Sequence, residues 1–275
     1  MLKLMYITNE PDVAMIAENA GVDRIWIDLE VNGKEERQKN LDTVKSKHKI
    51  SDIAPIKKVL KKANLIVRVN SIYEGSEKEI DEVIEQGAEI VMLPYFKTVE
   101  EVEKFIKFVN KRAKVCLLVE TPEAVDKIDE ILNLDGIDEV HIGLNDLHLG
   151  YKMNFMFELL ADGTVDKLCE KFKAKNIPYG FGGVSRVGTG TLPAEHIIIE
   201  HYRLGSQIVI LSRSFCNTQK ITDRKEIKKL FDTGVRDIRK TEQEAMKYTK
   251  EQFEENRKSV IDEVNQIVDS IKNNN

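Results

Sequence analysis

Residues 76–94, SEKEIDEVIEQGAEIVMLP, hold a helix, a stop and a strand in one short phrase. Ile80, Val83 and Ile84 fall on one face at helical spacing, and Gly87 closes the helix where a left-handed residue is wanted. The apolar run Ile90 to Leu93 then reads as a buried strand. The same phrase returns at 18–28, ENAGVDRIWID, and at 201–211, HYRLGSQIVIL. A local unit repeated in this way predicts parallel strands joined by helical crossovers. Strands are expected at 3–8, 24–30, 65–70, 90–95, 114–120, 139–143, 178–182 and 207–212, and helices at 11–20, 53–63, 76–86, 99–112, 122–133 and 194–204. The repetition favours a closed (β/α)8 TIM barrel; an open doubly wound sheet is the alternative that periodicity leaves standing.

Beyond about residue 217 the strand signal ends and charged helical spacing takes over, as in Val260, Val264 and Ile267. The expected organisation is a barrel over 1–216 and a C-terminal extension of two or three exposed helices over 217–275, within the same domain. The extension serves either as packing or as an element exchanged between subunits of a homo-oligomer.

Composition narrows the function classes. The chain has 275 residues, 41% hydrophobic and 32% charged, with a formal net charge of −5, which argues against nucleic acid as a general partner. No apolar run is long enough to span a membrane. The start, MLKLMYITNEPDVAM, reaches polar residues too early for a secretory signal, so a cytoplasmic protein is expected. Cys116, Cys169 and Cys216 are scattered without CxxC spacing, which indicates neither a zinc site nor a disulfide framework.

In a barrel of this type the C-terminal strand ends converge on one mouth. Here strand two ends in Asp28 and Glu30, strand three carries Arg68, strand five ends on Glu120, and strand six leads to Asp146. Glu120 and Asp146 leave adjacent strands, and two converging carboxylates repel each other unless a cation sits between them. Mg²⁺, with Mn²⁺ as second choice, takes one or two protein carboxylates and keeps places for water and substrate oxygens. The competing reading makes Glu120 an ordinary acid at a helix start before Thr121 and Pro122. Arg68 favours the metal reading, since a guanidinium ending an apolar strand calls for an anion such as a 2-oxo acid.

These residues lie in segments that resemble the HpcH/HpaI aldolase and citrate lyase β-subunit family. The resemblance runs over about 2–215 and is carried, in order, by AGVDRIWIDLE, LIVRVN, QGAEIVMLPYFKTVEEVEKFI, LLVETPEAVDKIDEIL, GIDEVHIGLNDL and LGSQIVIL. It implies a (β/α)8 barrel and metal-dependent carbon–carbon lyase chemistry through a pyruvate or acetyl-thioester enolate. It also implies that Glu120 of VET and Asp146 of GLNDL bind the metal and that Arg68 binds substrate.

One departure matters. The aldolase branch ends its second strand in a D-G-E-H pattern whose His moves the proton, whereas this chain reads Asp28, Leu29, Glu30, Val31. DLE is closer to the citrate lyase branch. Replacement imidazoles are sought in His48, on the long basic loop 31–52, and His148, two residues after Asp146; His141, inside strand six, reads as a core residue. Arg186, in the Gly-rich loop after strand seven, and Arg213, after strand eight, are candidates for a second anionic group of the substrate. The expected activity is an aldolase acting on a 2-oxo acid. An acyl-CoA lyase or thioesterase is the second possibility, and a barrel that binds without catalysis the third.

Overall fold

The computed structural model describes residues 1–31 and 47–273. Eight parallel strands close into a barrel in chain order, β1 (Lys3–Ile7), β2 (Arg24–Asp28), β3 (Asn64–Arg68), β4 (Ile90–Leu93), β5 (Lys114–Val119), β6 (Glu139–Ile142), β7 (Tyr179–Val184) and β8 (Ile208–Leu211), with β8 pairing back onto β1. The strands start within a residue of their expected positions, and most end one or two residues earlier. Around them lie α1 (Pro11–Asn19), α2 (Ile53–Val59), α3 (Ser76–Glu85), α4 (Val99–Val109), α5 (Pro122–Asp126), α6 (Ile128–Ile131), α7 (Leu144–Gly150), α8 (Glu158–Ala161), α9 (Thr164–Ala174) and α10 (Ala194–Leu204). The glycine stops act as expected: Gly21, Gly87 and Gly205 follow helices with φ of +100°, +111° and +74°. The helix expected at 122–133 is split at Lys127, whose φ of −101° and ψ of 10° leave the helical region. The helices at 144–174 were not anticipated.

Alternation along the strands sorts the core into two apolar groups. Ile25, Ile27, Val67, Val91, Leu117, Val119, Val140 and Val209 face outward and pack under the helices. Met5, Trp26, Ile66, Met92, Cys116, Leu118 and Ile208 face inward and fill the barrel. Register pairs keep each set together, as in Trp26 with Ile66, Met92 with Cys116, and Leu118 with His141. The inward set also includes charges. Arg24, on β2, forms a bidentate bond to Glu139, on β6, with Nη1–Oε1 at 2.5 Å and Nη2–Oε2 at 2.7 Å, and both side chains are buried.

The C-terminal segment forms α11 (Arg224–Ala245) and α12 (Lys250–Asn273). Both are more embedded than the exposed helices expected. Ile227, Phe231 and Val235 of α11 are buried, as are Val260 and Val264 of α12; α11 packs on α1 and α10, and α12 on α8 and α10. The buried Glu242 of α11 accepts from the backbone N–H of Leu2 and from the Tyr202 hydroxyl, which ties the first strand to the last helices. No described helix is long and apolar enough to cross a membrane.

Removing one member of a buried pair strands the other charge in the barrel, at a cost of about 3–5 kcal/mol. Glu139→Ala is therefore expected to lower the unfolding free energy in urea by about that amount. The double replacement Arg24→Met with Glu139→Leu should recover most of it, and a single variant as stable as the parent would contradict the assignment.

Candidate active site

The C-terminal strand ends surround a cavity of about 910 Å³ whose lining includes Asp28, His48, Arg68, Glu120, Asp146 and Arg213. Arg68 is its fixed centre. Nε and Nη2 each donate to Asp28 at 2.8 Å, Nη1 stands 3.1 Å from Glu30, and the guanidinium lies 5.2 Å from the centre of the Trp26 ring. Burial works against this charge, yet Asp28, Glu30 and then Glu120 outweigh burial and hold the guanidinium well above its usual range. The register pairing of Asp28 with Arg68 makes the fork possible.

Glu120 continues the inward alternation of Cys116 and Leu118 past the end of β5. It does not cap the following helix. That task falls to Thr121, whose Oγ1 accepts from the Ala124 N–H at 3.1 Å while its hydroxyl donates to the Phe96 carbonyl. Oε1 of Glu120 instead accepts from the backbone N–H of Tyr95 at 3.0 Å, and Tyr95 adopts a left-handed φ of +48°. Oε2 lies against Gly143, where an added Cβ would come within 2.7 Å of it. Asp146 sits half-buried in the first turn of α7, and among the described residues its carboxylate has no hydrogen-bond or ion-pair partner. Also among the described residues, no three His, Cys, Asp or Glu side chains converge as a metal cluster.

His48 lines the cavity, and its Nδ1 accepts from the backbone N–H of Asp28 at 3.1 Å, so a neutral ring carries its proton on Nε2. Of the basic loop that leads to it, 32–46 lie outside the described residues. His148 and Arg186 are not among the cavity-lining residues. Nδ1 of His148 lies 3.2 Å from the Leu144 carbonyl one turn back, and Arg186 packs beside Gly234 of α11. Three lining residues had no role in the sequence reading: Asp28 as the partner of Arg68, Trp26 beneath it, and His141. Alternation along β6 was the available signal for His141, which stands two residues from each of Glu139 and Gly143.

The model of the HpcH/HpaI aldolase/citrate lyase family matches residues 3–162, a stretch that includes Arg68, Glu120 and Asp146. The chain belongs to this family. Solved structures agree on the fold of the HpcH/HpaI chain. An HpcH/HpaI aldolase from Desulfitobacterium hafniense DCB-2 superposes with a TM-score of 0.59 at 16% identity, over 77% of this chain and 86% of that one. An HpcH/HpaI aldolase/citrate lyase family protein from Burkholderia cenocepacia J2315 gives 0.60 at 13% identity, over 77% and 87%. The citrate synthase SbnG gives 0.58 at 19% identity, over 77% and 87%. No curated protein matches the chain.

Two buried histidines make the stability of this HpcH/HpaI barrel pH-dependent. Burial pushes the His141 pKa from 6.5 down to about 4. Burial, with His141 nearby, drives His201 well below 6.5 as well. Each is neutral when folded and takes up a proton on unfolding. Their contribution is full above about pH 6.5 and is lost as the pH falls through the folded values, at about 1.4 kcal/mol per pH unit per proton. Glu79, raised by desolvation, opposes them. Urea unfolding at pH 7, 6 and 5 is expected to show stability falling with pH, and a flat or rising profile would refute this account.

Proposed function

We propose that the chain is a metal-dependent carbon–carbon lyase that forms or cleaves a 2-oxo acid through a pyruvate enolate. The observation that carries this reading is the meeting of Arg68, Glu120 and Asp146, from three strand ends, on one cavity. The donor set suits Mg²⁺ or Mn²⁺. Glu120 is pinned through Oε1 and has Oε2 against the space that Gly143 leaves, while Asp146 has an unpartnered carboxylate among the described residues. Two carboxylates match the number Mg²⁺ takes from protein, and both offer hard oxygen. When bound, the ion supplies Lewis-acid polarisation of the oxo acid.

The chain's own groups do the rest. Arg68 donates one N–H each from Nε and Nη2 to Asp28, with Nη1 ion-paired to Glu30, and its remaining Nη N–H groups can donate to the keto oxygen as negative charge develops there. Because Asp28 and Glu30 fix the fork before substrate arrives, that stabilisation needs little reorganisation. His48 lines the cavity with its Nδ1 accepting from the Asp28 N–H, which orients the ring toward the space the aldol oxygen would occupy; a neutral ring with its proton on Nε2 does not also take the hydroxyl proton, which passes to solvent. Arg213 at the rim carries positive charge suited to an anionic group on the second substrate.

A second reading, a lyase acting on CoA thioesters, is favoured by Glu30 of the DLE sequence standing on Arg68, and by a cavity near the upper end of the usual ligand-pocket range. Release of free thiol from malyl-CoA or citramalyl-CoA separates the two.

The test is incubation with Mn²⁺ or Mg²⁺ and a panel of 4-hydroxy-2-oxo acids, with coupled detection of pyruvate. Pyruvate release is expected, abolished by chelation. Glu120→Gln and Asp146→Asn should each reduce it at least ~100-fold, the upper end of what losing a supporting residue costs a metal site. A metal-loaded protein that releases no pyruvate from any member of the panel would refute the aldolase reading.

A further inference from the structure

His141 lies on β6 between Glu139 and Gly143, with a fully buried ring that forms part of the cavity wall. Nε2 is 3.1 Å from the carbonyl oxygen of Gly182 on β7. A carbonyl only accepts, so Nε2 carries the proton, and the buried Nδ1 has no hydrogen-bond partner. Gly182 is not an ordinary strand residue. Its φ is +51°, and β7 runs irregularly beside β8 here: Gly180 pairs with Ile208 but Gly183 with Ile210, so β7 spends one extra residue. Such a bulge leaves a peptide outside the regular ladder, and a side chain is then needed to satisfy it.

The bulge lies close against one neighbour. A Cβ added to Gly182 would come within 2.7 Å of Leu144 Cδ1. Leu144, itself buried, is the first residue of α7, the helix whose first turn holds Asp146. A line of contact therefore runs from the His141 ring through the Gly182 peptide and the Leu144 side chain to the base of that helix. Glu120 is anchored separately, by the Tyr95 N–H and the Gly143 surface.

We propose that His141 is a positioning residue: by holding the Gly182 bulge against Leu144, it sets the Asp146 carboxylate relative to Glu120 for binding a divalent cation. The inference rests on the metal reading above. Burial, which pushes the ring down to a pKa of about 4, keeps it uncharged at neutral pH, so it needs no counter-ion in the barrel wall. A role confined to satisfying the bulge would change stability and leave metal affinity alone.

Isothermal titration with Mn²⁺ alone decides between these roles. His141→Phe keeps an aromatic ring without a donor and is expected to bind Mn²⁺ about 10-fold more weakly, the scale of losing a supporting residue at a metal site. His141→Gln restores a donor and should recover most of that loss. A folded His141→Phe protein with unchanged affinity overturns the proposal. Should that variant fail to fold, Gly182→Ala drives the same contact into Leu144, and unchanged affinity there overturns it equally. Glu120→Gln separates the two levels. If the unaltered chain binds no Mn²⁺, or binds it as well after Glu120→Gln, the metal reading fails and takes this inference with it. If binding is lost in Glu120→Gln but intact in His141→Phe, only this inference fails.

Discussion

Closing eight parallel strands into a barrel gives each strand one set of alternate residues for the interior, and nothing placed there can turn back to water. An inward charge has to find its partner inside. Arg24 does so across the barrel on Glu139, and Arg68 does so on Asp28 and Glu30. Met5, Trp26, Ile66, Met92 and Leu118 fill the interior with apolar surface. The same alternation that packs the barrel delivers Arg68 and Glu120 to its mouth, so fold and site are one constraint met twice. The Arg24–Glu139 pair is enclosed in the barrel interior, whereas Arg68 lines the cavity at the mouth.

The barrel was legible because its signals are local. A helix that ends on Gly21, Gly87 or Gly205 and is followed by an apolar run needs no tertiary information to be read, and three copies imply a repeated crossover. Strand ends were less legible, because side-chain alternation outlasts backbone pairing: Glu120 keeps the inward direction of β5 after the ladder has stopped at Val119. The helices between 144 and 174 are illegible in the sequence for a related reason. Two of the three are short, and they begin after Gly143, Phe157 and Gly163 with no capping side chain, so the usual start signals are missing.

For the site, what was legible followed strand ends and what was not followed helix geometry. Asp146 and His148 are neighbours in sequence, but residues two apart on a helix point about 200° apart, so Asp146 reaches the cavity and His148 turns back to the Leu144 carbonyl. The pairing of Asp28 with Arg68 depends on strand register, which binary patterning does not provide. His141 reads as a core residue because it is one: fully buried in the wall, with its bond to Gly182 dependent on a bulge in the adjacent strand that binary patterning does not reveal.

The end of β2 shows how one position can be served from two places in a chain. The D-G-E-H pattern of the aldolase branch puts an imidazole directly after the strand, and here Val31 occupies that place. Glu30, one residue earlier, is turned onto Arg68. An imidazole nevertheless stands at this strand end, because the Asp28 N–H bonds Nδ1 of His48, which arrives from the far end of the following loop. Asp28 thereby performs two tasks on opposite sides of its own backbone: its carboxylate fixes the guanidinium and its peptide N–H fixes the ring. A hydrogen bond from a peptide N–H also selects the tautomer, since it requires a lone pair on Nδ1 and leaves the proton of a neutral ring on Nε2. Sequence order thus loses its hold on the assignment. What decides the tautomer is the Asp28 peptide N–H, held at the end of β2.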